Sequence, residues 1–377
     1  MNINVQPLVE SNNIFALDLY AKLSAHEGNL CFSTYSISVV LAMTFAGARG
    51  ATEKQIKDVM QTTLTQYEFH AGFAQLQKQI SAIGKEENVE LLLANSIYPH
   101  NRYSFLESFV NLLRENYGIP IKPLDYSEPE TARRTINQWV NEKTQEHISE
   151  LLPVGILDSL TRLVLVNAIY FKGLWEKQFD KQDTVNSPFR VSNEKYVNIP
   201  MMRQKSGFRY TEDNQAQVLE LPYQGKSLSL IIILPKESDG LVMIAKSLSF
   251  KKLSIWSKNI FEQTVDVHLP LFKIKSNFNL NDTLISMGMP DAFDMDKADF
   301  SGIDDTKELY ISNTIHQADI EVNEEGATAT AATAVIMGTR SFPQEYQFHV
   351  DHPFIFLLRE NTTSGILFIG RVLNPAG

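Results

Sequence analysis

Residues 321–342 read EVNEEGATATAATAVIMGTRSF, an unusual composition for a connection between two apolar segments. Gly326 is followed by eight small residues in a row, Ala327, Thr328, Ala329, Thr330, Ala331, Ala332, Thr333 and Ala334, and no Pro occurs between Gly326 and Phe342. Surface turns are normally punctuated by Gly, Pro, Asn and Asp, because each supplies a backbone geometry that turns require. No apolar stripe recurs at a spacing of 3.6 residues, so the run does not read as an amphipathic helix. Drawn out as a strand, it places alternate side chains on opposite faces. Ala327, Ala329, Ala331, Thr333, Val335 and Met337 then share one face, most of it small enough to slip between strands of an existing sheet. The plain alternative is an Ala/Thr linker, and composition alone does not separate the two.

The flanks do. Upstream, ELYISNTIHQADIEV (308–322) reads as a long strand ending near Glu324. Downstream, PFIFLLRENTTSGILFIGRVLNP (353–375) reads as a terminal β-hairpin. Connections inside a compact domain are normally short, and a long one is usually functional. VNEEGATATAATA (322–334) resembles the hinge of the serpin family, and DHPFIFLLRENTTSGILFIGRVLNP (351–375) resembles its C-terminal signature.

The rest of the chain carries the same resemblance. NLCFSTYSIS (29–38) and LAMTFAGARGATEKQI (41–56) are similar to the serpin N-terminal block, with Thr34 where the family usually has Pro. INQWVNEKT (136–144), the Leu151-Leu152-Pro153 turn and LVLVNAIYFKGLW (163–175) form a second matching group. Leu271 departs from the pattern: many serpins carry there a basic residue that pairs with the acid at the top of the loop, so Glu324 is expected to lack that partner.

Local signals give the element order. An almost wholly apolar helix is expected between an N-cap at Ser33 and a stop at Gly47. Thr52 and Gln55 read as a capping box for TEKQIKDVMQ. Helices are expected around 72–83, 105–117, 131–144 and 241–260, and strands around 89–97 and 119–124. YQGKSLSL reads as a hairpin and VDVHLPLFKIKSNFNL as strand.

With 377 residues the length allows two domains, yet there is no linker to cut at: the 15 Pro and 18 Gly are scattered and no repeat or low-complexity run occurs. One domain spanning 1–377 is expected, with a reactive-centre loop at about 324–345. A hydrophobic fraction of 44% and a charged fraction of 21% are those of a soluble globular protein. The net charge of −10 argues against nucleic acid and anionic polysaccharide as partners. No apolar run is long enough to span a membrane. MNINVQPLVE does not read as a signal peptide, so the chain is expected in the cytoplasm if Met1 is native, or outside the cell if a leader has been removed. The single Cys31 sits in an apolar context and reads as a core side chain.

Enzyme chemistry is not legible. GxSxG, P-loop, HExxH and CxxC motifs are all missing from the sequence. His349 and His352 are three apart in a predicted strand and face opposite sides, so no metal site and no cofactor are expected.

The resemblance implies a mixed α/β serpin fold of about three β-sheets and eight to nine α-helices with an exposed loop. It implies a suicide inhibitor of serine proteases, not an enzyme: a monomer, able to form loop–sheet polymers, whose partner is a trypsin-like protease held covalently. Counting fourteen from the hinge glycine Gly326 puts the scissile bond at Arg340–Ser341, and an Arg suits an acidic specificity pocket. Fourteen extended residues reach roughly 46 Å. Met337 is the next candidate and suits chymotrypsin- or elastase-like targets. Glu324, Glu325 and Gly326 to Ala332 match the hinge; Ser33, Ser36, Asn167 and His316 match the polar cluster called the shutter; Trp175 matches the tryptophan of the breach above it. Non-inhibitory serpins, which act in binding, chaperoning or storage, usually carry bulky, charged or Pro residues in the hinge, and residues 327–332 have none.

Overall fold

The computed structural model describes residues 4–85, 88–119, 121–192, 194–325 and 345–377. Among these are ten α-helices: α1 (Gln6–Leu23), α2 (Thr34–Gly47), α3 (Gly50–Val59), α4 (Gln66–Ile83), α5 (Glu107–Tyr117), α6 (Pro129–Lys143), α7 (Leu241–Ser247), α8 (Phe250–Asn259), α9 (Asn281–Met287) and α10 (Ser301–Asp304). The strands are β1 (Leu30–Phe32), β2 (Val89–Pro99), β3 (Leu163–Gly173), β4 (Val185–Arg190), β5 (Tyr196–Glu212), β6 (Ala216–Pro222), β7 (Leu228–Pro235), β8 (Phe261–Pro270), β9 (Phe272–Asn279), β10 (Asn313–Val322), β11 (Glu345–His349), β12 (Phe354–Glu360) and β13 (Ile366–Val372).

Helix α2 is the apolar rod inside the fold. All of its 14 residues are buried, as its lack of a polar face requires. Ser33 caps it by accepting the Ser36 N–H. Gly47 lets Ile303 approach: a Cβ there would lie 2.2 Å from Ile303 Cγ1.

Four strands form one sheet in the order β2-β3-β10-β9. β10 runs parallel to β3, while β2 and β9 are antiparallel to their neighbours. Both faces of this sheet are covered. Leu163, Leu165, Ile169 and Phe171 join the large core with α1 and α2, whereas Val164, Val166 and Ala168 join a smaller core with Ile136 and Val140 of α6. That double covering explains why LVLVNAIYF is apolar throughout instead of alternating.

The second sheet runs β1-β13-β12-β7-β6-β5-β8-β11, with β4 also paired to β5. The expected three sheets resolve here into two hydrogen-bonded sheets. The 17-residue β5 pairs with β4 from Tyr196 to Met201, with β8 from Met201 to Tyr210 and with β6 from Arg209 to Glu212, fusing them. The described residues form ten helices where eight or nine were expected, partly because 241–260 is interrupted. Leu248 is extended, and Ser249 caps α8 by accepting the Lys252 N–H.

Other local expectations are corrected. Thr52 and Gln55 do not form a capping box: α3 begins at Gly50, and their side chains accept from Asp299 N–H and Asp291 N–H. The box occurs instead on α4, between Thr65 and Glu68. Residues 119–124 contribute an isolated bridge, Leu124 to His100. The run VDVHLPLFKIKSNFNL divides at Leu271 into β8 and β9, which belong to different sheets. No helix among the described residues is long and apolar enough to cross a membrane.

Candidate functional site

The seam between β3 and β10 is the feature that the sequence signals converge on. Eight residue pairs join the strands, from Asn313↔Val164 to Ile320↔Phe171. The chain leaves β10 at Val322 and, beyond Glu325, enters the stretch singled out by its composition.

Midway along the seam His316 pairs with Asn167. Both side chains point to the large-core face, where the buried start of α2 lies. The Ser33 N–H donates to His316 Nε2 at 3.1 Å, so that nitrogen carries no proton. His316 Nδ1–H then donates to Asn167 Oδ1, leaving the Asn167 amide to donate to Asn95 Oδ1 at 2.6 Å. One directional chain thus runs from α2 through β10 and β3 to β2. Burial pushes the His316 imidazole down to about 3, which keeps it neutral. Of the expected cluster, Ser33, Asn167 and His316 are linked in this way. Ser36 joins only through its backbone N–H, and its buried hydroxyl has no hydrogen-bond partner.

The upper end of the seam is tied differently. Trp175 is buried, stacks on Tyr223 with ring centroids 4.4 Å apart, and donates from Nε1 to the Asn323 carbonyl at 2.8 Å. The Asn323 side chain accepts the Glu325 N–H and donates to Glu321, fixing the backbone as it leaves β10. Lys172 on β3 reaches Glu325 at 3.2 Å and Glu321 at 3.8 Å. Lys181 also binds Glu325 at 3.1 Å, and Lys273 on β9 binds Glu321 at 3.2 Å. Burial works against the Lys172 ammonium, but the hydrogen bond to Glu325 and the nearby carboxylates outweigh it and raise its pKa. Hydrogen bonds from Lys181 and Lys172 hold the Glu325 carboxyl below its usual range. Glu324 has no ion-pair partner among the described residues, and Leu271 is packed against the core.

The sequence signature, the parallel β3–β10 seam and the tied exit now stand together. The sequence profile described as Serpin (serine protease inhibitor) matches residues 10–375. The chain belongs to the serpin family. This serpin is 42% identical over 382 residues to leukocyte elastase inhibitor A of Rattus norvegicus, covering 98% of this chain and 100% of the relative. It is 41% identical to the leukocyte elastase inhibitor of Homo sapiens, with the same coverage. Among solved structures it superposes on uncleaved ovalbumin with a TM-score of 0.88 at 30% identity, covering 98% of this chain and 100% of that one. Maspin gives 0.92 at 28% identity, covering 98% and 99%. The family is one of protease inhibitors, not of catalysts.

Gly326 to Ala332 of the expected hinge and the expected reactive bond Arg340–Ser341 lie outside the described residues of this serpin. Asn95, Lys172, Lys181 and Asn323 were missed from the sequence. Asn95 did carry a signal, a polar residue amid the apolar run ELLLANSIYP. The lysines carried none, because single exposed cations are ordinary surface chemistry.

Proposed function

We propose that this serpin, acting as one domain, inhibits a serine protease as a suicide substrate, with a trypsin-like target and a reactive bond at Arg340–Ser341. The observation that carries the reading is the β3–β10 seam, two parallel strands in direct contact with the hinge-like sequence leaving the end of one of them. A strand entering that seam runs antiparallel to both neighbours and replaces one parallel ladder by two antiparallel ones, the more stable kind per residue. In the reaction the protease serine Oγ attacks the Arg340 carbonyl carbon. The peptide bond to Ser341 breaks, and the serine proton passes through the protease's base to the leaving amine. The freed hinge segment then enters the seam and carries the acyl-linked protease with it before water can release it. On this reading Ser33, Asn167 and His316 hold the seam shut, with Ser36 supporting them through the cap of α2. Trp175 and the carboxylates of Glu321 and Glu325 hold its upper end.

A second reading is favoured by the names of the relatives, which are inhibitors of leukocyte elastase. It places the cut at or near Met337 and makes the target elastase-like. Incubation with trypsin and with elastase, followed by denaturing electrophoresis and N-terminal sequencing of the released peptide, separates the two. A trypsin complex that survives boiling in detergent, with a peptide beginning at Ser341, is the expected outcome. A stable complex with elastase alone, and a peptide beginning nearer Gly338, overturns the Arg340 assignment. Cleavage by both without any stable complex overturns the inhibitory reading.

A further inference from the structure

Strand β11 follows residues 326–344 and is the edge strand of the large sheet, paired only with β8 among the described residues. The β8–β11 register sets His349 directly beside His268, and their rings stack with centroids 3.8 Å apart at 8°. Asp266, two residues before His268, projects from the same face of β8. Its carboxylate oxygens lie 3.6 Å from His268 Nε2 and 3.7 Å from His349 Nε2. All three ligand atoms fall within 4.8 Å of one another. His349 Nε2 is itself buried and has no hydrogen-bond partner.

Two imidazole nitrogens and a carboxylate are the donor set of borderline divalent transition metals. Ligands about 2.0–2.1 Å from a tetrahedral zinc ion lie roughly 3.4 Å apart, close to the separation of each imidazole from its nearer Asp266 oxygen. Binding one ion through both rings also requires the stacked imidazoles to turn out of their parallel arrangement, so that both Nε2 lone pairs converge with one carboxylate oxygen. The neighbouring cations are engaged elsewhere. Arg203, opposite His268 on β5, donates to Ser187 on β4 at 3.1 Å, and Lys205 binds Glu345 at 2.7 Å. We propose that Asp266, His268 and His349 form a binding site for a zinc-class divalent cation that clips β11 to β8. The fourth coordination position is left to water. The site does not depend on the inhibitory reading.

Zinc chloride titrated calorimetrically into the full chain at neutral pH is expected to bind one ion per chain and to raise the melting temperature. His268→Asn and His349→Asn should each weaken binding by more than about 10-fold, since even residues one step removed from a metal carry that much. His26→Asn, at an exposed histidine, should leave it unchanged. X-ray absorption of the zinc-loaded wild type should report two imidazoles and one carboxylate oxygen, whatever the variants do to folding. No zinc uptake by the wild type, equal uptake by the variants, or a first shell lacking two imidazoles overturns the proposal.

Discussion

His316 on β10 donates its Nδ1 proton to Asn167 on β3, at paired positions of two parallel strands. The bond lies across the line along which the strands would have to part. It is locked at one end by the Ser33 N–H and at the other by Asn95. Because His316 and Asn167 each have a partner on either side, removing one orphans its neighbours.

Asn167→Ala leaves the buried His316 N–H and the half-buried Asn95 amide oxygen without these partners. The expected cost is about 1–3 kcal/mol. The unfolding midpoint in urea should fall, and warming should produce polymers visible on a native gel. An unchanged midpoint with a clean monomer would sink the idea that this chain holds the seam.

Acid should destabilise the fold at this seam and at His70, buried on α4 beside Tyr117. Burial depresses His316 from 6.5 to about 3 and His70 from 6.5 to about 4. A depressed histidine is neutral in the folded chain while the unfolded chain takes up a proton, so stability is full above pH 6.5 and falls as pH drops toward those values. Each group contributes a slope of up to about 1.4 kcal/mol per pH unit. Unfolding midpoints measured between pH 7 and 5, above most carboxylate titration, test this. A flat profile in that range contradicts neutral burial of both rings.

Trp175 makes two contributions that substitution can divide. Trp175→Phe keeps a ring on Tyr223 and loses the hydrogen bond to the Asn323 carbonyl, a loss of about 1 kcal/mol. Trp175→Ala also removes the ring, at about 3–5 kcal/mol. Equal midpoints for the two variants would mean that the stack contributes nothing.

Ala329→Glu tests insertion itself. On the extended reading Ala329 faces the sheet core, where an unpaired carboxylate is costly to bury. The variant should still be cut after Arg340 but should release active protease, turning an inhibitor into a substrate. Stoichiometry of inhibition measures this, together with the gain in melting temperature on cleavage. Equal trapping by wild type and variant would exclude insertion as the mechanism.

Much of the fold was legible because a few segments left no choice. STYSISVVLAMTFAG has a cap, a stop and no polar face, so it reads as a buried helix. LVLVNAIYF reads as a long apolar strand, in which the polar Asn167 stands out, and the resemblance favours a buried place for it. What escaped notice depended on distant partners. Thr52 and Gln55 have the spacing of a capping box, yet tertiary contacts to Asp299 and Asp291 claim their side chains. Pro270 has no N–H to continue a ladder, and the Leu271 N–H turns away to the Pro200 carbonyl, so a run that reads as one strand serves two sheets. His349 was compared with His352 along the chain, but His352 binds the Pro235 carbonyl and the meaningful neighbour is His268 on another strand.

The residues between β10 and β11 are tethered at both ends, to one sheet upstream and to the other downstream. An intact chain that fed itself into the seam would have to peel β11 from β8, giving up all five paired positions from Glu345 to His349. A chain cut between the two tethers gives up nothing there. On the proposed mechanism, connectivity acts as a safety catch: the motion that would disable a protease is held back until a protease itself severs the restraint.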